Sequence, residues 1–252
     1  MISSRMWILV IASVCVLTQG SVSMATIIPS FNNFNTAGSY EDWTKSGVAT
    51  KETVNVYGGT GEAVNIRGKG GYPTYLYKDF LSDPAYTTVE LSFWMYEYSA
   101  SGNDQTLNVA LQDSTGVGAT GVNMRVKMVN GVRSLNYFYN IDNPAAPGTP
   151  LLQEGTICAV VLNQYAKLVI TASADTDTFT VSYNGVTYDN NGAGFGFYQT
   201  LNRISKVQFS NTNGSAIVSR TTIDDVSIKV PEPATMALLS IGAVLLGRKR
   251  IV

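Results

Sequence analysis

Alternating apolar and polar residues, two Asn-Gly dipeptides set between such runs, and a near absence of helical periodicity predict an all-β chain. Ten or more short strands with polar turns then point to a two-sheet antiparallel jelly-roll sandwich. The run Thr88 to Tyr98 shows the alternation best: Val89, Leu91, Phe93 and Met95 share one face, and Glu90, Ser92, Trp94, Tyr96 and Tyr98 share the other. Leu107, Val109 and Leu111 continue it, as do Met124, Val126 and Met128 around Arg125 and Lys127. Asn130-Gly131 turns the chain into Val132 to Tyr139, because a type I′ turn needs positive φ at both central residues. The three prolines between Asn143 and Pro150 mark a loop. Leu168, Ile170 and Ala172 form another inner face, and Phe179, Val181 and Tyr183 lead through Asn184-Gly185 into Val186 to Tyr188. Val207 and Phe209, then Val226, Ile228 and Val230, supply the closing strands.

The two ends read differently. Arg5, the apolar run Met6 to Leu17 and the small site Ser23-Met24-Ala25 have the layout of a cleaved secretory signal, handled by the Sec translocon and signal peptidase. Residues 1–25 are therefore assigned to a signal peptide, 26–230 to the sandwich and 231–252 to a terminal anchor. Loss of Cys15 with the signal leaves Cys158 as the mature chain's single thiol, a small buried hydrophobe with no disulfide partner. In the anchor, Pro231-Glu232-Pro233 is a stiff stop after the last strand. An apolar block and the cluster Arg248, Lys249, Arg250 follow. As a helix, the block from Ala234 to Gly247 covers about 21 Å of a hydrocarbon core about 30 Å thick, and snorkelling cations at its end help to close the gap. The cations stay cytoplasmic, so the sandwich lies outside.

This tail resembles the PEP-CTERM sorting signal of Gram-negative bacteria in all three of its parts, over roughly the last 22 residues. The resemblance implies processing by exosortase near the Pro-Glu-Pro. It implies inner-membrane anchoring beforehand, and afterwards a place at the cell surface or in an extracellular, biofilm-type matrix containing exopolysaccharide.

The sandwich resembles the concanavalin-A-like (laminin-G-like) jelly rolls. The resemblance rests on Trp43, on Leu91-Ser92-Phe93-Trp94-Met95, on Lys167 to Ile170 with Thr178 to Gly185, and on Ile223-Asp224-Asp225-Val226. The Trp43 start and the Asp-Asp-Val ending fit galactose-binding-like jelly rolls equally well.

Composition narrows the function. Of 17 basic and 18 acidic residues, setting aside Arg5, the three tail cations and Glu232 leaves 13 basic and 17 acidic in the sandwich, a net of about −4. Without a basic excess, nucleic acid is not a partner. The chain has no histidine, which removes imidazole-based hydrolysis and histidine-held zinc or haem. Glycoside hydrolysis needs two placed carboxylates, and Glu90 and Glu97 fall on opposite faces of one strand. The expectation is a non-catalytic exported protein.

Two candidate sites stand out. Sugar rings pack their C–H faces on aromatic side chains and need polar neighbours, so Glu90, Trp94, Tyr96 and Tyr98 form the carbohydrate-binding candidate. Tyr72, Tyr75, Tyr77, Tyr137 and Tyr139 are candidates to extend that platform. Asp224 and Asp225 open the last strand, and Asp224 alternates onto the face of Val226 and Ile228. An inward carboxylate at the rim needs a partner, either a capping group or a structural calcium held with loop acids such as Asp104, Asp113, Asp175 and Asp177.

Overall fold

The computed structural model describes residues 26–27, 43–52, 57–59, 62–68, 74–80, 86–98, 105–114, 119–142, 150–211 and 219–230. The strands in chain order are β1 (Thr26–Ile27), β2 (Thr44–Ser46), β3 (Val48–Glu52), β4 (Ala63–Gly68), β5 (Thr74–Asp79), β6 (Thr88–Glu97), β7 (Gln105–Gln112) and β8 (Thr120–Val129). They continue with β9 (Val132–Asp142), β10 (Pro150–Ala159), β11 (Tyr165–Ser173), β12 (Thr178–Tyr183), β13 (Val186–Tyr188), β14 (Phe195–Gly196), β15 (Lys206–Asn211) and β16 (Ser219–Val230). A 3-10 turn, Tyr57–Gly59, lies between β3 and β4.

Two antiparallel sheets result. The first runs β13-β12-β11-β6-β16-β4-β3, with the short strands β1 and β14 off that path. The second runs β10-β9-β8-β7-β15-β5-β2. Residues 27–228 form one compact unit. The remaining unit joins Met1–Thr26 to Lys229–Val252, and nearly all of it lies outside the described residues. The signal peptide and the terminal membrane helix expected there lie outside them too. Among the described residues no helix is long and apolar enough to cross a membrane.

The alternation of each strand sets its inner face. Val89, Leu91 and Phe93 on β6 are fully buried, and β11 pairs with β6 so that Leu168 sits beside Phe93 and Ile170 beside Leu91. On the second sheet Leu107, Leu111, Val122, Met124 and Leu135 are fully buried. The layers meet through rings: Phe93 lies edge-to-face on Phe209 at 5.0 Å, and Trp43 reaches Phe209 at 5.9 Å. A second aromatic group joins Tyr137 to Phe195 at 4.7 Å and Phe195 to Phe179 at 5.5 Å. Each such ring contributes about 1.5–3 kcal/mol by leaving water.

Both Asn-Gly turns have the expected geometry, with φ of 50° and 80° at Asn130 and Gly131 and 50° and 83° at Asn184 and Gly185. The stretch after the proline loop departs from expectation. It begins a ten-residue edge strand, β10, whose sequence hardly alternates and whose residues are exposed or half-buried, none of them buried. A register shift between Thr156 and Cys158 interrupts its pairing with β9. Cys158 is accordingly half-buried, not a core residue. Burial pushes its thiol up, against a lowering hydrogen bond with Tyr188.

Candidate functional site

The carbohydrate candidate sits on the outer face of the first sheet. Glu90, Ser92, Trp94 and Tyr96 alternate with the buried inner row of β6, and Tyr98 follows at its end. Their rings, however, are largely turned on one another. Trp94 lies under Tyr57, with centroids 3.8 Å apart and planes 16° from parallel. Tyr57 meets Tyr165 edge-on at 5.6 Å, Tyr165 meets Tyr96 at 5.3 Å, and Tyr96 meets Tyr98 at 4.7 Å. The Arg220 guanidinium closes the chain 3.8 Å above the Tyr98 ring, a cation–π contact. Tyr98 is buried, and its hydroxyl shares a hydrogen bond of 3.2 Å with Thr222. Ser92 is likewise tied to Ser227 at 2.9 Å.

The other tyrosines do not extend this row. Tyr137 and Tyr139 stack at 5.2 Å, and Tyr137 turns inward onto Phe179 and Phe195. Tyr75 and Tyr77 lie on the second sheet, alternating with buried Thr74, Leu76 and Lys78, so they face away from the first. Lys206 rests over Tyr77 at 4.2 Å. Tyr72 lies outside the described residues. On the same outer face of the second sheet, Arg125 and Lys127 both reach Glu154 on β10 at 2.5 Å. Burial raises the Glu154 carboxyl, but hydrogen bonds from Arg125 and Lys127 outweigh it and hold the group below the ordinary range.

Asp224 points the other way from the alternation. Thr221 donates to Glu97 on the inner side, whereas Thr222 meets Tyr98 on the outer side. Continuing that parity puts Ile223 inward and Asp224 outward. Asp225 then adopts φ 47°, a left-handed residue inside a strand, and the phase slips by one so that Val226 and Ile228 return to the core. The Asp224 carboxylate accepts the Tyr57 N–H at 3.0 Å and the Asp225 N–H at 2.7 Å. Burial pushes it up to about 6, against those two hydrogen bonds.

The loop acids do not join it. Asp113 pairs with Arg203 at 3.2 Å, Asp177 accepts the Leu201 N–H, and Asp175 is exposed in a turn. Asp104 lies outside the described residues. Among the described residues no group of three or more acidic or cysteine side chains converges as a metal site.

Glu90 and Glu97 lie on opposite faces of β6, as expected. Glu97 is fully buried between the sheets, 3.3 Å from Arg133 of β9. Burial pushes its carboxyl up to about 7, opposed by hydrogen bonds from Thr221 and Thr106 and by the Arg133 charge. Neither Arg133 nor Tyr57 is marked by the sequence. Neither lies in a motif, and each acquires its role from a partner distant in the chain.

Pro231, Glu232, Pro233, Arg248, Lys249 and Arg250 lie outside the described residues, so their sequence speaks for them. Residues 229–250 match the family pattern of the PEP-CTERM protein-sorting motif. The chain carries a PEP-CTERM sorting signal. The match spans the tail expected to hold it, and implies an exported protein that is anchored in the membrane and sorted by exosortase.

No curated protein sequence matches the chain that carries this PEP-CTERM signal. Solved structures do resemble its sandwich. A sialidase superposes with a TM-score of 0.56 at 10% identity, covering 80% of this chain and 18% of that one. The chain therefore spans under a fifth of that sialidase. A carbohydrate esterase from the Shiga toxin-encoding bacteriophage phi24B gives 0.54 at 16% identity, covering 82% and 99%. The carbohydrate recognition domain of Emp47p gives 0.53 at 11%, covering 81% and 96%. At these identities the likeness is one of fold, the lectin-like jelly roll.

Proposed function

We propose that this is a non-catalytic exported protein, released by exosortase to the cell surface or extracellular matrix, where its sandwich associates with exopolysaccharide. The PEP-CTERM motif at residues 229–250 carries the reading. Three further features support it. The chain lacks histidine, the carboxylates of β6 are split between two faces, and Asp113 and Glu154 are each engaged by cations. The carbohydrate recognition domain among the fold's neighbours fits a sandwich that meets glycans without altering them.

The test follows the full-length protein in its own cells. Replacing Pro231-Glu232-Pro233 with three alanines blocks tail removal and leaves the protein in the inner membrane. An unchanged mature mass and location defeats the sorting reading. Wild-type protein co-sediments with extracellular polysaccharide and releases no reducing ends or unsaturated products from it. Failure to co-sediment defeats the association, and product release defeats the non-catalytic assignment.

A second reading, a dedicated carbohydrate-binding or adhesion module, is favoured by one observation. Trp94, Tyr96 and Tyr98 alternate onto one outer face, and the Tyr96 and Tyr98 rings touch at 4.7 Å. A glycan array with Trp94→Ala as control decides it, and absence of any glycan-dependent signal removes it.

A further inference from the structure

The Trp94 face on the outer surface of the first sheet already has an occupant. Tyr57 lies flat on Trp94 at 3.8 Å, the arrangement in which a pyranose ring would present its C–H face to an indole. The sequence around Tyr57 does not place it there by strand pairing, since it lies in a one-turn helix between strands, with Gly58 at φ 74°. What holds it is Asp224. Its Oδ2 accepts the Tyr57 N–H at 3.0 Å, and its Oδ1 is fixed at 2.7 Å by the Asp225 N–H. The upstream alternation of β16 brings this carboxylate to the outer face beneath the turn, just before the left-handed Asp225 shifts the phase. Tyr165 braces the Tyr57 ring edge-on, and exposed Lys167 stands beside Trp94 in the register of β11.

We propose that Tyr57 is a built-in cap on a saccharide-stacking site at Trp94, positioned by Asp224 and displaced when a pyranose chain binds. The inference rests on the reading of the sandwich as a polysaccharide-associated module and names the subsite and its control. A ligand that needs the uncapped state binds more weakly by the fraction of molecules uncapped. A stacked aromatic pair lowers that fraction to about one in ten. Asp224 is here a positioning residue, because it touches the cap and not the ligand.

The experiment titrates the full-length protein with the β-1,4-linked hexasaccharides of glucose and of glucuronate, followed by calorimetry and by tryptophan fluorescence. Trp7 falls in the expected signal peptide and Trp43 is buried, so a ligand-dependent emission change reports on Trp94. Tyr57→Ala binds at least one of the two probes about tenfold more tightly than wild type. Tyr57→Phe, which keeps the ring, matches wild type, and adding Trp94→Ala to Tyr57→Ala abolishes the gain. Should Tyr57→Ala lower the melting temperature, Asp224→Asn carries the same expectation. It keeps the side-chain size and turns an amide N–H₂ toward one of the two backbone donors. Equal or weaker binding in both variants overturns the cap, as does a gain that survives loss of Trp94. Co-sedimentation of wild type with extracellular polysaccharide separates the two failures. With co-sedimentation intact and no gain, only the cap falls; with neither, the polysaccharide reading falls as well.

Discussion

Glu97 is buried without exposure between two sheets, beside Arg133 and the hydroxyls of Thr221 and Thr106. Its folded pKa of about 7 lies above the ordinary carboxyl value of 4.5, so the folded state holds its proton more tightly than the unfolded chain does. The stability it supplies is full below pH 4.5 and is lost as pH rises to 7, an effect of at most about 3 kcal/mol. Asp224, raised from 3.8 to about 6, acts in the same sense over a lower window. Urea melts at about pH 4.5 and about pH 8 show wild type weaker at the higher pH. Glu97→Gln removes the part of the decline above about pH 6 and leaves the part due to Asp224. An unchanged slope above that pH in Glu97→Gln places the titration elsewhere. Alternation alone indicates that Glu97 faces inward. It does not indicate Arg133, because a contact between sheets depends on how two layers are stacked.

At the scale of elements, the hairpins are the most readable parts. Asn184-Gly185 and Asn130-Gly131 specify turn type within two residues, and both glycines adopt the left-handed φ that an L side chain resists. A Cβ added at Gly185 would meet no atom within 4 Å, so a substitution there is resisted by backbone conformation and not by crowding. Gly185→Val costs about 1–2 kcal/mol, read as a lower urea midpoint with the denaturant slope unchanged. A change of slope in place of midpoint contradicts this. Strand β10 is hard to read for the opposite reason. An edge strand with no buried face has no apolar rhythm to display, and its Glu154 is fixed by Arg125 and Lys127 from another strand. The outer row of β6 is legible as a face. Its availability is not, because the ring that covers Trp94 comes from a turn far back in the chain.

Across the whole molecule, the sheets share one core in residues 27–228, and Phe209 touches both Trp43 of its entry segment and Phe93 of the opposite layer. Phe209→Ala lowers unfolding free energy by about 3–5 kcal/mol in a single cooperative transition. Two separable transitions by fluorescence and far-UV circular dichroism contradict a shared core. The fold class is legible because strand period and turn chemistry are local properties. The sorting tail is legible because its chemistry is linear. The glycan-facing surface is not, since it depends on which outer residues remain uncovered after packing.

Asp225 acts on β16 much as a single inserted letter acts on a reading frame. Upstream of it odd-numbered residues face the core; downstream, even-numbered ones do. Were Asp225 to take ordinary extended backbone, the frame would run on unbroken and mistranslate everything after it, turning Val226 and Ile228 outward and Ser227 into the apolar layer. Deleting Asp225 removes the extra letter and leaves Val226 and Ile228 in their inward frame, so β16 is more sensitive to losing the kink than to losing the residue.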